Sequence, residues 1–230
     1  ASAYIALLAS TRFTTPPEVR RKQLEKAVAM APNDPSLLSA LSTELIAFDQ
    51  AEAIRVARRA YMLDSTSSTT TVYYAVALEV VGRPAEALAP IDASIRRGAA
   101  VPFVHYARGE ALLALGRARE ALESYRSAEL AMPDAARTGM GRAYAALGQP
   151  QRAIQFAKAL EVDAGKRYVS KDYIAQIYAE LGDKEQAFKW LDRAADDRSG
   201  YLTWLGVSPA WASLRSDPRF AALKVRLRLP

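Results

Sequence analysis

The stretch 102–133, PFVHYARGEALLALGRAREALESYRSAELAMP, holds two blocks of apolar residues at i, i+3, i+4 and i+7, separated by Gly116. That period belongs to helices, and a helical run broken by Gly and at once resumed is a helix hairpin. Gly116 has counterparts in Gly82, Gly148 and Gly182, with successive spacings of 34, 32 and 34 residues. Five residues after each stands an alanine: Ala87, Ala121, Ala153 and Ala187. One period upstream Ala53 keeps the place, with Phe48 where the glycine would be. Self-similarity at this period marks a stacked array, in which each unit buries its apolar face on the next. Units begin near Asp34, Ser68, Pro102, Asp134 and Tyr168.

Small residues stand where the two helices of such a hairpin would cross: Gly109, Gly141, Ala75 and Ala175 on the first helix, the alanine series on the second. A hydrogen or methyl there lets the backbones approach, whereas a larger side chain would overpack the crossing. One residue in five is Ala, which this packing explains. Asp34-Pro35, Ser208-Pro209 and Asp217-Pro218 each put a capping side chain before a proline at the first helical position, and Thr15-Pro16-Pro17-Glu18 adds a capping-box glutamate. Pro32 and Pro133 are expected to end the helices before them. Residues 65–71, rich in Ser and Thr, are expected to form a turn and helix N-cap.

These residues resemble the tetratricopeptide repeat. Gly109, Leu112, Gly116, Ala121, Tyr125, Ala128 and Pro133 stand at that family's spacing. Gly141, Tyr144, Gly148 and Ala153 follow, then Ala175, Tyr178, Gly182, Ala187 and Ala194. The units from Asp34 and Ser68 are degenerate, with Leu41 and Ala75 in place of the first glycine. The resemblance implies an all-α, right-handed superhelical solenoid forming one continuous domain. It would comprise a divergent helix pair over 1–33, five units over 34–199 and a C-terminal helical cap over 200–230. Both the cap sequence and the entry from Ala3 to Ala27 resemble the flanks of such arrays in bacterial serine/threonine kinases, adenylate cyclases and winged-helix regulators. No kinase, cyclase or winged-helix motif is present. In the cap, Trp204, Trp211, Leu214, Phe220, Leu223 and Leu227 are expected to pack on the last unit, with Arg215, Arg219, Lys224, Arg226 and Arg228 toward water.

Composition points away from catalysis. The 230 residues include no Cys and one His, and half are apolar, which excludes a disulfide scaffold and thiol chemistry and argues against disorder. Gly139-Met140-Gly141 has neither a preceding strand nor a third glycine, and neither a phosphate loop nor a serine elbow occurs. The acidic neighbours Asp196-Asp197 and Glu161/Asp163 read as solvated helix ends, and His105 as a packed or half-exposed side chain. No reaction, metal or cofactor is expected. Net charge is +6, of which five basic residues against Asp217 put +4 in residues 200–230. Aromatics are not interleaved with cations as a single-strand groove requires, so nucleic acid is not an expected partner. No apolar run is long enough to cross a membrane. A start at Ala1 without Met or a signal-like apolar core reads either as a chain whose targeting segment has been removed or as a fragment of a longer protein, the fragment being favoured, and cytoplasm and periplasm both remain open.

The resemblance also implies that the first helix of each unit lines a concave groove, where the family binds extended peptides or helices. The inward positions are Tyr73 and Val76, Tyr106 and Glu110, Thr138 and Arg142, Asp172 and Gln176. Mixed charge with aromatics suits a polypeptide, because aromatic and charge-paired anchors dominate protein interfaces. Family members that clamp a chaperone's carboxylate do so through a Lys–Asn pair, whose places here hold Leu38 and Ser42, or Val72 and Val76; that function is excluded. The expectation is a non-catalytic module that binds a protein or peptide in bacterial signalling or envelope assembly. The alternative is the sensory or regulatory half of a larger kinase, cyclase or transcription regulator. Replacing Gly109 by Leu is expected to overpack the hairpin by about 1–3 kcal/mol and to lower the thermal midpoint by several degrees; an unchanged melt would refute the hairpin.

Overall fold

The computed structural model describes residues 15, 17–98 and 101–229, and among them every regular element is helical. The α-helices are α1 (Pro17–Met30), α2 (Pro35–Leu45), α3 (Gln50–Leu63), α4 (Ser68–Val80), α5 (Pro84–Arg96) and α6 (Pro102–Ala114). They continue as α7 (Ala118–Ala128), α8 (Pro133–Ala146), α9 (Pro150–Ala164), α10 (Lys171–Glu180), α11 (Lys184–Asp196) and α12 (Pro218–Arg226). Two short 3-10 helices, Gly200–Trp204 and Pro209–Leu214, precede α12. The chain divides into two compact units, Ala1–Val104 and His105–Pro230. Within the first, α2 pairs with α3 and α4 with α5, α1 packs on α2, and α2 lies against α4. Within the second, α8 pairs with α9 and α10 with α11, α7 packs on α8, and α8 lies against α10. The first helix of the expected N-terminal pair falls outside the described residues.

Helix starts follow local chemistry. Asp34 accepts from the amides of Ser36 and Leu37, and Asp217 from that of Arg219. Ser208 caps as expected, but the helix it opens is 3-10 rather than α. α1 begins at Pro17, and Pro16 of its expected capping sequence is outside the described residues. Ser67 caps α4 within the Ser/Thr-rich turn. Pro133 does not end a helix: α7 stops at Ala128, and Pro133 is the first residue of α8. At that position its missing N–H forfeits nothing and its fixed φ suits the helix.

The repeat glycines close each first helix. Gly82, Gly116, Gly148 and Gly182 have φ between 70° and 77°. The next amide reaches back to form the Schellman bond: Arg83 to Leu78 O at 2.8 Å, Arg117 to Leu112 O at 2.9 Å, Gln149 to Tyr144 O at 2.9 Å and Asp183 to Tyr178 O at 3.0 Å. The other glycines serve packing. The ring of fully buried Tyr125 lies against both Gly109 and Gly139; a Cβ at either would sit 2.5 Å or 2.3 Å from Tyr125 Cε1. Gly141, two residues beyond Gly139 and so on the opposite side of α8, receives Ile177 of α10, whose Cδ1 would be 2.7 Å from an added Cβ. The G-x-G of this helix is therefore a two-sided packing notch.

Residues 209–226 behave as a shortened sixth hairpin. Ser213 Oγ donates to Ala179 O at 3.0 Å, Arg219 pairs with Glu185 at 2.8 Å and Arg226 with Asp192 at 3.3 Å, each across 34 residues. The second 3-10 helix lies against α10 in the place of a first helix. Trp211, Leu214, Phe220 and Leu223 join the core of the last hairpins, Leu227 packs at its edge, and Trp204 is half-buried. Arg215, Arg219, Arg226 and Arg228 face water as expected, Lys224 is half-buried, and three of the arginines are also bonded. Arg219 stacks on Phe188 at 4.3 Å and pairs with Glu185 and Asp217, Arg226 pairs with Asp192 and Asp196, and Arg215 donates to the carbonyls of Val207 and Ser208.

Two glycine roles predict two different substitution behaviours. Gly116→Ala forces a methyl-bearing residue into left-handed backbone, at about 1–2 kcal/mol; Gly139→Ala overpacks Tyr125 by about 1–3 kcal/mol. In urea unfolding of a double-mutant cycle with Tyr125→Leu, the Gly139 substitution should couple to the smaller side chain and the Gly116 substitution should add independently.

Candidate functional site

The first helices of the second unit carry a polar cluster built around the Tyr125 notch. Because α6 and α8 can approach the ring through their glycines, the residues just beyond, Glu110 and Arg142, meet. The Tyr125 hydroxyl donates to Glu110 Oε1 at 2.7 Å, and Arg142 Nη1 donates to Glu110 Oε2 at 2.9 Å and Oε1 at 3.1 Å. On the other side Arg142 Nε lies 3.6 Å from Glu180 Oε2 of α10, an ion pair without a hydrogen bond. One guanidinium thus links the first helices of three successive hairpins. Its side chain is 7% exposed, against 21% for Glu110 and 31% for Glu180. The cation is the floor and the carboxylates are the surface. Tyr106, one turn before Glu110, is half-buried with its ring 5.8 Å from that of Tyr125.

The charge states of Arg142 and Tyr125 are fixed. Burial pulls the Arg142 pKa down, but the negative charges of Glu110 and, more weakly, Glu180 outweigh it, and the net shift is upward. Burial, and then the Glu110 carboxylate, hold the Tyr125 phenol well above its usual range. Arg142 is therefore a cation and Tyr125 a neutral donor throughout the physiological range.

A second cluster joins α10 to the cap. Asp172 is 1% exposed; it accepts from Ser170 Oγ, from Ser199 Oγ at 2.8 Å and from Gln176 Nε2 at 3.5 Å. Burial raises its pKa, and the serine hydroxyls oppose that without cancelling it. No cation pairs with it among the described residues.

The eight sequence-derived positions thus divide. Tyr106, Glu110 and Gln176 are partly exposed on the second unit, while Tyr73 and Val76 are half-buried on α4, Tyr73 standing edge-on to Phe103 at 6.3 Å. Thr138, Arg142 and Asp172 do not face solvent. Thr138 is fully buried with its hydroxyl donating to Asp134 O at 2.9 Å, and Arg142 and Asp172 lie within the clusters above. The small residues that set the helix spacing bring the first helices close enough to cover Thr138 and Arg142, while Ser170 and Ser199 close over Asp172. Sequence reasoning missed Glu180, whose signal was an acid at the end of a first helix where the two preceding units have Ala114 and Ala146. His105 is half-buried and shifted downward, by burial first and by Arg108 second. Among the described residues no group of three or more His, Asp or Glu is placed to hold a metal ion, and no helix is long and apolar enough to cross a membrane.

Residues 102–127 and 174–196 match family models described as tetratricopeptide repeat. Among solved structures the chain is similar to one described as the crystal structure of MamA protein, with 20% identity and a TM-score of 0.50 over 72% of this chain and 92% of that one. It is also similar to the crystal structure of APC/C hetero-tetramer Cut9-Hcn1, with 14% identity and a TM-score of 0.66 over 96% of this chain and 48% of that one. No curated protein matches. The fold is that of a tetratricopeptide array of packed helix hairpins, an architecture that supports a protein-interaction scaffold.

The Asp172 cluster gives a pH signature. A carboxyl whose pKa is higher in the folded than in the unfolded state binds protons preferentially in the fold, so its contribution to stability falls as pH rises from the ordinary carboxylate range through the raised folded value. Asp172→Asn keeps an acceptor for the serines and removes the charge. Urea unfolding should find the variant more stable than the parent at neutral pH, with the difference shrinking as pH is lowered toward about 4. A pH-independent difference would refute the buried carboxylate's role.

Proposed function

We propose that the chain is a non-catalytic interaction module that holds a polypeptide partner on its first helices. The observation that carries this reading is the rigid floor of the second unit. Arg142 ties α6, α8 and α10 together, while Tyr106, Glu110 and Glu180 remain at the surface above it. Contact groups held in place before binding lose little freedom on binding, which favours affinity. Tyr73 and Val76 on α4 belong to the corresponding surface of the first unit. Of the cap's arginines, Arg219 and Arg226 are engaged with Glu185, Asp192, Asp196 and Asp217, and Arg215 with the carbonyls of Val207 and Ser208. That leaves the basic tail poorly suited to a phosphate backbone and supports a protein rather than a nucleic-acid partner.

The setting we infer is bacterial signalling or envelope assembly, on the likeness of the flanking sequences to those around such arrays in signalling proteins. A second reading, the sensory or regulatory half of a larger kinase, cyclase or transcription regulator, rests on the same flanks.

Selection of a random peptide display library on the intact chain tests the module. Selected peptides should lose about tenfold or more in affinity for Tyr106→Ala and keep it for Lys189→Glu, an exposed change on the second helix α11. Circular dichroism would confirm that both variants are folded. Peptides indifferent to Tyr106→Ala would refute the first-helix surface of the second unit as the binding face.

A further inference from the structure

The same face carries an imbalance of charge. Glu110 and Glu180 stand at its surface, and the one cation between them is beneath them and nearly closed to solvent. Arg142 directs its hydrogen bonds at Glu110, while Glu180 has only the 3.6 Å ion pair, to an Nε that makes no hydrogen bond. One guanidinium cannot neutralise two carboxylates, so the surplus negative charge points outward. Arg137, on the same helix as Arg142, is held by Asp163 and Glu129. Between Asp172 and Glu180 on α10 stands the uncharged Gln176. An anionic partner would meet the carboxylates and could not reach Arg142.

A cationic side chain meets the opposite conditions. Its charged end completes the balance between Glu110 and Glu180, and its aliphatic stem or guanidinium plane has the ring of Tyr106, one turn from Glu110, to lie on. Resting on the interaction reading above, we propose that the first-helix face of the second unit recognises a basic polypeptide, seating a lysine or arginine of the partner between Glu110 and Glu180 against Tyr106. Arg142 then acts as a positioning residue that holds both carboxylates in place from below.

The test uses the intact chain and a random peptide display library, selected in parallel on the parent and on Glu180→Lys. Peptides selected on the parent should be enriched in Lys and Arg, weaken about tenfold or more on Glu180→Lys, and bind less tightly as salt is raised. Selection on the variant should shift toward Asp and Glu. Glu180→Gln, which removes only the charge, should weaken the basic peptides by a smaller factor and keeps the test available if the lysine variant does not fold. Peptides that need Tyr106 but carry no basic residue, or that ignore both Glu180 substitutions and salt, would overturn the charge preference and leave the interaction face standing. Peptides that ignore Tyr106 as well would overturn both.

Discussion

One aromatic ring decides how closely the hairpins of the second unit stack. Tyr125 comes from a second helix, yet it fills the space that side chains at Gly109 of α6 and Gly139 of α8 would otherwise claim. Interiors are packed near crystal density, so a ring that large is accommodated only where opposing backbone is bare. Ile177 meets α8 from the other side at Gly141. With α8 fitted on both faces, its rotation and height are set, and so are the positions of the two polar residues it carries nearby, Thr138 and Arg142.

The buried guanidinium follows from that geometry. A charge taken out of water is costly unless its partners are close and well aligned. Arg142 has one carboxylate at hydrogen-bonding distance and a second at ion-pair distance, each on a different neighbouring helix. Apolar packing alone would tolerate some sliding of α6 and α10 along α8. The directional bonds from Arg142 do not, so the polar cluster sets the register that the glycine notch leaves open.

Much of this was legible in the sequence. Gly82, Gly116, Gly148 and Gly182 gave the period, the turn and the hairpin, because a left-handed residue closing a helix is a local requirement with a strong residue preference. Tyr106 and Glu110, which the family resemblance put on the inward face of their first helix, are partly exposed. What escaped was long-range. Nothing local distinguishes Arg142 from a solvated arginine; its burial depends on Glu110 and Glu180, 32 and 38 residues away. The G-x-G of α8 is equally silent until Tyr125 and Ile177 are known to converge on it. The sixth hairpin could have been found, since Asp217 and Ala221 repeat Asp183 and Ala187 at an interval of 34. Pro209 and the missing glycine at Ser216 disguised it.

That last hairpin also limits how the array can grow. The 3-10 helix Pro209–Leu214 has six residues and extends about 12 Å, whereas α8 with fourteen extends about 21 Å. A further full-length hairpin stacked beyond it would find a first helix roughly half as long as its own and would leave its far turns uncovered. Units duplicated in the gene could be accommodated upstream of Ser199, where each new first helix meets a neighbour of matching length. Duplication among the full-length hairpins would preserve that match of lengths, whereas the terminal hairpin offers the shortest first helix of the series.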